Sequence, residues 1–82
     1  MNSHLIKIIL DIAIFLEFSN EDIINDDSAI QMMESIAYEL QKMEESHKND
    51  FIKKINELAN EYKDEQKVFV QTFAYNCGLI EK

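Results

Sequence analysis

Proline is absent from this sequence of 82 residues, and Gly78 is its only glycine. These two residue types interrupt helices more strongly than any others, whereas Leu, Glu, Lys, Met, Ala and Gln, which recur throughout the chain, favour helices. The sequence therefore predicts an all-α fold, and we expect a compact antiparallel four-helix bundle. At this length it predicts a single helical domain spanning residues 1–82, with a thin core.

The first predicted helix is the most apolar segment of the chain. We expect Ser3 to cap this helix, which should run to about Phe18. His4, Lys7 and Asp11 fall on one narrow polar stripe, and apolar side chains cover the remaining surface. We therefore expect this helix to be the most buried of the four. Because charged residues interrupt the apolar run, we expect neither a membrane span nor a signal peptide.

A stretch rich in acids and capping residues separates the first predicted helix from the second. Ile23 and Ile24 are expected to turn inward within it. Either Asp27 or Ser28 is the expected N-cap of helix two, and Ser28 with Gln31 matches the capping-box pattern. The predicted core stripe of this helix consists of Ile30, Met33, Ile36, Ala37, Leu40 and Met43.

Two further helices are expected over about residues 47–62, capped by Ser46, and about residues 65–77, capped by Asp64. The short connection between helices two and three predicts that they pack as antiparallel neighbours. Gly78 should adopt the left-handed conformation that ends a helix in a Schellman motif, with the following leucine folding back. Val68, Phe69, Thr72 and Phe73 recur at helical spacing in the last helix. The strongest core candidates are Leu40, Ile55, Phe69 and Phe73.

The net charge of −8 belongs to one part of the chain, residues 17–50, which we call the acidic segment. It holds ten carboxylates and two lysines, while the acids and lysines on either side of it balance. Arginine is absent, so bidentate contacts to phosphate are not available, and the excess of acid would repel nucleic acids and anionic membranes. We therefore expect a basic protein partner.

The residues able to carry catalysis do not form a recognisable constellation. His4, His47 and Cys77 are not spaced as a nucleophile and its base, and no Cys and His spacing resembles a zinc site. The carboxylates of residues 20–27 lack the ligand spacing and central glycine of a calcium-binding loop. A single cysteine allows no internal disulfide and fits a reducing, cytoplasmic setting. We expect no enzymatic activity, no metal and no cofactor.

Two alternatives stay open. Asp27, Ser28 and Ala29 open an acidic helix and resemble the Asp-Ser-Leu motif of acyl carrier proteins, which implies a serine modified by phosphopantetheine. Ala29 replaces the usual leucine, the glycine before the motif is missing, and a capping role explains Ser28 more simply. The other alternative is a helical interaction module that dimerises through its apolar first helix, although we otherwise expect a monomer.

A second resemblance spans most of the chain. Residues 16–22 (LEFSNED), 29–37 (AIQMMESIA), 40–41 (LQ) and 77–79 (CGL) are similar to small helical immunity proteins encoded beside contact-dependent growth inhibition and other polymorphic toxins of bacteria. The resemblance implies a cytoplasmic protein that binds one toxin domain and blocks it. A basic nuclease is the kind of toxin that such an acidic protein would suit.

The surface expected to bind this partner combines the acids between helices one and two with the outer face of helix two. Tyr38 stands among these acids as a possible aromatic anchor. The predicted partner-binding residues are Glu21, Asp22, Asp26, Asp27, Glu34, Tyr38 and Glu39.

Overall fold

The computed structural model describes residues 2–80, which form four α-helices and one 3-10 turn, with no strand among them. The all-α fold predicted from the sequence is confirmed. The elements are α1 (Ser3–Phe18), α2 (Asp26–Gln41), α3 (Glu45–Leu58), the 3-10 turn (Ala59–Glu61) and α4 (Asp64–Asn76).

Helix α1 is the centre of the arrangement, because it packs against α2, α3 and α4. Helices α3 and α4 also pack against each other, and the 3-10 turn contacts both. The prediction that the second and third helices are close neighbours is wrong, since α2 and α3 make few contacts despite the short connection at residues 42–44. A short connection brings two helix ends together, but the apolar faces decide which helices pack along their length.

The core is built around large side chains from three helices. The largest fully buried ones are Phe51, Phe73, Ile6, Leu10, Ile55 and Val70. The ring of Phe69 packs edge-on against both Phe18 and Phe73, with 5.7 Å between ring centroids in each pair. The four core candidates named from the sequence, Leu40, Ile55, Phe69 and Phe73, are all buried.

The expectation that α1 is the most buried helix holds only in part, because α1 has four buried residues, as many as α4 and more than α2 or α3, but leaves one apolar face exposed. One face of α1 is buried, through Ile6, Leu10, Ala13 and Leu16. A second face carries large apolar side chains that remain 47 to 53% exposed, namely Leu5, Ile8, Ile12 and Phe15. Helices α2, α3 and α4 leave this second face uncovered, so the apolar composition of α1 overstated how much of it the fold encloses.

Asparagines rather than serines cap the first two helices. The side chain of Asn2 accepts a hydrogen bond from the Leu5 amide at 2.9 Å, so Ser3 lies inside α1 and is not its cap. The side chain of Asn25 accepts from the Ser28 amide at 3.1 Å, so the capping box predicted at Ser28 is wrong. In both helices the side-chain oxygen of Asn accepts a hydrogen bond from the amide three residues later. A serine hydroxyl at the same capping position could accept the same hydrogen bond.

Helix α2 is rotated slightly from the expected orientation. Ala29 is buried, whereas Ile30 is 55% exposed and does not belong to the core. The other members of the predicted stripe are buried or pack partly buried against the core. Successive residues of an α-helix are about 100° apart around its axis. A residue at the edge of the apolar stripe can therefore face either the core or the solvent, depending on how the neighbouring helix packs against it.

The starts of α3 and α4 also differ from expectation. Helix α3 begins at Glu45, so Ser46 is not its cap, and its last predicted turn is a 3-10 turn. Asp64 is the first residue of α4, with φ at 55°, a left-handed conformation that Asp tolerates better than most residues. In α4 Val70 is buried, although the pattern noted in the sequence did not include it, whereas Val68, which belongs to that pattern, is exposed.

A polar cluster joins α1 to the residue that follows the 3-10 turn. The Tyr62 hydroxyl donates to Asp11 Oδ1 at 2.6 Å and accepts from Lys7 Nζ at 3.2 Å. Lys7 Nζ also lies 3.3 Å from Asp11 Oδ2 and 4.7 Å from the centre of the Tyr62 ring. The polar stripe of α1 therefore has a structural use, as it holds α1 against the chain between α3 and α4.

The C-terminal end of α4 follows the expected Schellman motif. Gly78 has a φ of 77°, and the amides of Gly78 and Leu79 donate to the carbonyls of Tyr75 and Ala74 at 3.0 and 2.9 Å. The Gln41 side chain donates to the Cys77 carbonyl at 2.7 Å and so connects the ends of α2 and α4.

Candidate partner-binding surface

Two asparagines organise the chain between α1 and α2. The Asn20 carbonyl accepts from the amides of Ile23 and Ile24 at 3.0 and 3.1 Å, and its side chain accepts from the Asp22 amide at 3.0 Å. Asn25 then caps α2. These backbone contacts leave the carboxylates in solvent, and the four exposed acids of this region, Glu21, Asp22, Asp26 and Asp27, are called the acidic turn.

Two carboxyl groups of the acidic turn lie against each other. A hydrogen bond between the side chains of Glu21 and Asp26, together with the negative charge of Asp26, raises the pKa of Glu21 above its usual value. Like charges at this spacing oppose ionisation, and a cation bound beside them would relieve the repulsion.

Asp26 and Asp27 also occupy the first turn of α2, where the helix dipole favours negative charge. Asp27, Glu34 and Tyr38 are spaced seven and four residues apart, so they share the outer face of α2. All three are exposed. The structure thus brings six of the seven predicted residues to the acidic turn and the outer face of α2.

The seventh predicted residue, Glu39, lies at the edge of that face and already has a partner. Lys42 Nζ lies 3.1 Å from Glu39 Oε2 and 4.4 Å from the centre of the Tyr38 ring. This lysine therefore offsets the Glu39 charge and covers one side of Tyr38. An exposed pair of this kind adds little stability, so a partner could displace Lys42 at small cost.

Sequence reasoning missed two apolar members of this surface. Ile23, within the acidic turn, is 62% exposed, and Ile30, in the second turn of α2, is 55% exposed. Both had been assigned to the interior. The helical spacing of Ile30 from Asp27 and Glu34 was the available signal, since it places all three on one side of α2. We call the acidic turn together with Ile23, Ile30, Glu34 and Tyr38 the acidic face.

The side chains considered for catalysis or metal binding were His4, His47, Cys77 and Ser28. Among residues 2–80, no three His, Cys, Asp or Glu side chains are grouped so that they could hold a metal ion. The Cys77 thiol is buried, and burial raises its pKa to about 11, so it stays protonated at neutral pH. Ser28 is exposed in the first turn of α2, where its amide donates to Asn25 Oδ1 at 3.1 Å.

An open groove of about 580 Å³ lies where α4 begins. Its walls are Phe18, Lys63, Asp64, Glu65 and Gln66. Four of these five residues are polar or charged, and all five are exposed to solvent. It has the form of a surface depression between α1 and α4.

No helix within residues 2–80 is both long enough and apolar enough to cross a membrane. Comparison of the chain with protein-family models, with curated proteins and with solved structures gave no match.

Proposed function

We propose that this protein is an immunity protein of a contact-dependent growth inhibition or other polymorphic toxin system, which binds and neutralises its cognate toxin domain in the cytoplasm. One observation carries the proposal: exposed isoleucines and Tyr38 stand among the exposed carboxylates of the acidic face. Protein interfaces combine apolar anchors with charges that select the partner in this way. In this role the protein turns over no substrate and uses no cofactor.

The acidic face suits a basic partner. The acidic segment carries the whole net charge of the chain, and its field would raise the association rate with a cationic domain by roughly 10- to 1000-fold at low salt. A nuclease domain is such a partner, because the path along which it binds its nucleic acid substrate is itself basic. Carboxylates placed over that path would exclude the substrate.

The apolar side chains have a separate task. Charges at the edge of an interface mainly set how fast the partners meet, whereas buried anchors set how slowly they separate. Ile23, Ile30 and Tyr38 are the exposed apolar side chains of the acidic face and are its candidate anchors. Tyr38 would exchange its contact with Lys42 for contacts with the partner.

The test requires the cognate toxin domain, and the proposal predicts that its gene lies immediately upstream of the gene for this protein. Reversing Glu21, Asp22, Asp26 and Asp27 to lysine should slow association strongly at low salt and flatten its salt dependence, as measured by stopped-flow fluorescence. A matched control reverses four exposed acids elsewhere, Glu17, Glu57, Glu61 and Glu65. It changes the total charge equally and should have a smaller effect. Equal on-rates for the wild type and the first variant would contradict the electrostatic part of the proposal.

Because two of the reversed acids favour the start of α2, a milder variant separates binding from folding. Glu21→Lys with Asp22→Lys alters only the turn before α2, and circular dichroism should show unchanged helix content. The anchors are tested by Ile23→Ala with Ile30→Ala, which should leave the on-rate nearly unchanged and raise the dissociation rate. If neither the charges nor the anchors affect binding, the acidic face is not the site.

The carrier-protein alternative is favoured only by the position of Ser28, an exposed hydroxyl at the start of α2 that directly follows Asp27. Incubation with a phosphopantetheinyl transferase and coenzyme A, followed by intact mass measurement, tests it. An added phosphopantetheine mass that Ser28→Ala abolishes would support this function, and an unchanged mass would remove it.

A further inference from the structure

The exposed apolar face of α1 forms one continuous stripe. Its four members, Leu5, Ile8, Ile12 and Phe15, are each about half exposed, and they recur at intervals of three, four and three residues. This spacing keeps them on one side of the helix, away from the buried side that faces the core. Soluble helices normally carry polar residues opposite their buried face, so an apolar second face indicates a surface that is covered by a partner.

We propose that this partner is a second copy of the chain, with α1 packed antiparallel on α1 of the partner subunit across a two-fold axis. The proposal is independent of toxin binding, because it uses α1 and not the acidic face.

The spacing of the stripe is self-complementary. Its positions are symmetric about residue 10, so an antiparallel pair of α1 helices centred there would place Leu5 against the partner's Phe15 and Ile8 against the partner's Ile12. A two-fold interface requires this reciprocity, in which a residue contacts a second residue and the second contacts the first. Every member of the stripe then meets an apolar side chain.

Charge also favours a second copy over a basic partner at this position. Residues 1–16 carry one lysine and one aspartate, and these two side chains, Lys7 and Asp11, pair with each other at 3.3 Å. The stripe therefore offers no net charge to attract a cationic domain. Two copies, each with a net charge of −8, would repel wherever their acidic segments faced each other. Contact through α1 is the arrangement that keeps the charged segments out of the interface.

The size of the stripe sets the strength of the dimer. Four large side chains that are half exposed present roughly 400 Å² of apolar surface, compared with about 800 Å² per partner in a stable interface of standard size. The polar side chains beside the stripe would add the rim. We expect a weak, reversible dimer that forms at micromolar concentrations.

Sedimentation equilibrium of the full chain, from about 1 µM to about 1 mM, tests the interface. The wild type should shift from monomer to dimer, and Ile8→Gln with Ile12→Gln should weaken association by at least about tenfold. The control, Met32→Gln with Val68→Gln, removes apolar side chains of similar exposure from α2 and α4 and should leave the dimer intact. A wild-type chain that is monomeric throughout, or a dimer weakened only by the control, overturns the proposal.

Engineered cysteines test the antiparallel register. When equal amounts of Ile8→Cys and Ile12→Cys proteins are mixed and oxidised, disulfides between the two different variants should clearly exceed the half of all disulfides that random pairing would give, because residue 8 faces residue 12 of the partner subunit. The native Cys77 is buried and should not interfere, and wild-type chain treated in the same way provides that control. A mixed share equal to or below the random half would exclude the proposed register.

Salt separates this interface from the proposed toxin complex. Screening reduces the repulsion between two acidic chains, so added NaCl should strengthen the dimer, whereas it should weaken association with a basic toxin. A dimer that dissociates as salt rises would overturn the apolar interface, and it would do so without bearing on toxin binding.

Discussion

At the scale of single residues, a few polar contacts define the starts of α1 and α2 and connect the ends of α2 and α4. Asn2 and Asn25 cap α1 and α2, and Asn20 shapes the turn between them. Gln41 joins the end of α2 to the Cys77 carbonyl next to Gly78. These contacts are local, apart from that of Gln41, and each depends on one side chain of suitable length.

Gly78→Ala should lower the free energy of unfolding by about 1 to 2 kcal/mol, measured by urea denaturation. The φ of 77° disfavours any side chain, and an added Cβ would lie only 2.9 Å from Gln41 Nε2. The same substitution in a Gln41→Ala background removes the steric part and should cost less. If the background makes no difference, the backbone conformation alone accounts for the loss.

Glu21→Gln should raise the melting temperature at pH 7 and have no such effect near pH 3. The hydrogen bond to Asp26 and the negative charge of Asp26 raise the pKa of Glu21 in the folded state. Ionisation of Glu21 therefore opposes folding at pH values above the folded-state pKa, and this effect is absent at pH values below the unfolded-state pKa of 4.5. Thermal unfolding followed across this range measures the effect. Glu34→Gln, which removes the same charge from the outer face of α2, is the control. A stabilisation that persists in acid would contradict this explanation.

At the scale of elements, the structure differs from the sequence-based expectation mainly in which face of a helix is buried. Helix α1 turns one apolar face to the core and leaves another exposed. Helix α2 buries Ala29 in place of Ile30. The periodicity of the sequence shows that a helix has an apolar side. How much of that side is buried depends on how the neighbouring helices pack against it.

A matched pair of substitutions on α2 tests the orientation of that helix. Leu40→Ala should cost about 2 to 5 kcal/mol, because Leu40 is only 5% exposed. Ile30→Ala should change stability by less than about 0.5 kcal/mol, because Ile30 faces solvent. Urea denaturation of both variants provides the measurement. Similar costs at the two positions would show that the buried face of α2 is wrongly placed.

The contact between α1 and Tyr62 gives a second test at this scale. Tyr62→Phe removes a hydroxyl that contacts Lys7 and Asp11 but keeps the ring, and it should cost about 1 kcal/mol and speed hydrogen exchange of the α1 amides. Tyr38→Phe makes the same chemical change on an exposed ring and should have almost no effect. Unchanged exchange in the Tyr62 variant would mean that packing alone holds α1.

At the scale of the whole molecule, the uneven distribution of charge is the dominant property. The acidic segment holds the entire net charge of −8, and several of its carboxylates crowd the acidic turn. Self-repulsion of this kind opposes the compact state, while the apolar core, centred on α1, holds the chain together. The same charge that reduces stability is the one proposed to attract a basic partner.

Stability should therefore rise with moderate ionic strength. Increasing NaCl from about 10 to about 150 mM shortens the Debye length from about 30 to about 8 Å, so the melting temperature of the wild type should increase. A variant with Glu21→Gln and Asp22→Asn should respond less, because part of the repulsion is already gone. Equal responses would show that the repulsion does not originate in the acidic turn.

The sequence alone predicted the helical class, the number of helices and much of the core, including Leu40, Ile55, Phe69 and Phe73. It also predicted the conformation of Gly78, because left-handed helix ends depend on local backbone sterics. Local propensity and periodicity are sufficient for such features, since neighbouring residues along the chain determine them.

Only the tertiary structure decided which apolar residues stay in solvent. Leu5, Ile8, Ile12 and Ile23 have the same chemistry as buried isoleucines and leucines, and nothing in their local sequence separates them. The contacts that do so come from residues distant in the chain, as when Tyr62 meets Asp11 across 51 positions. A small domain cannot cover every apolar side chain, and the packing of its helices selects those that remain available to a partner.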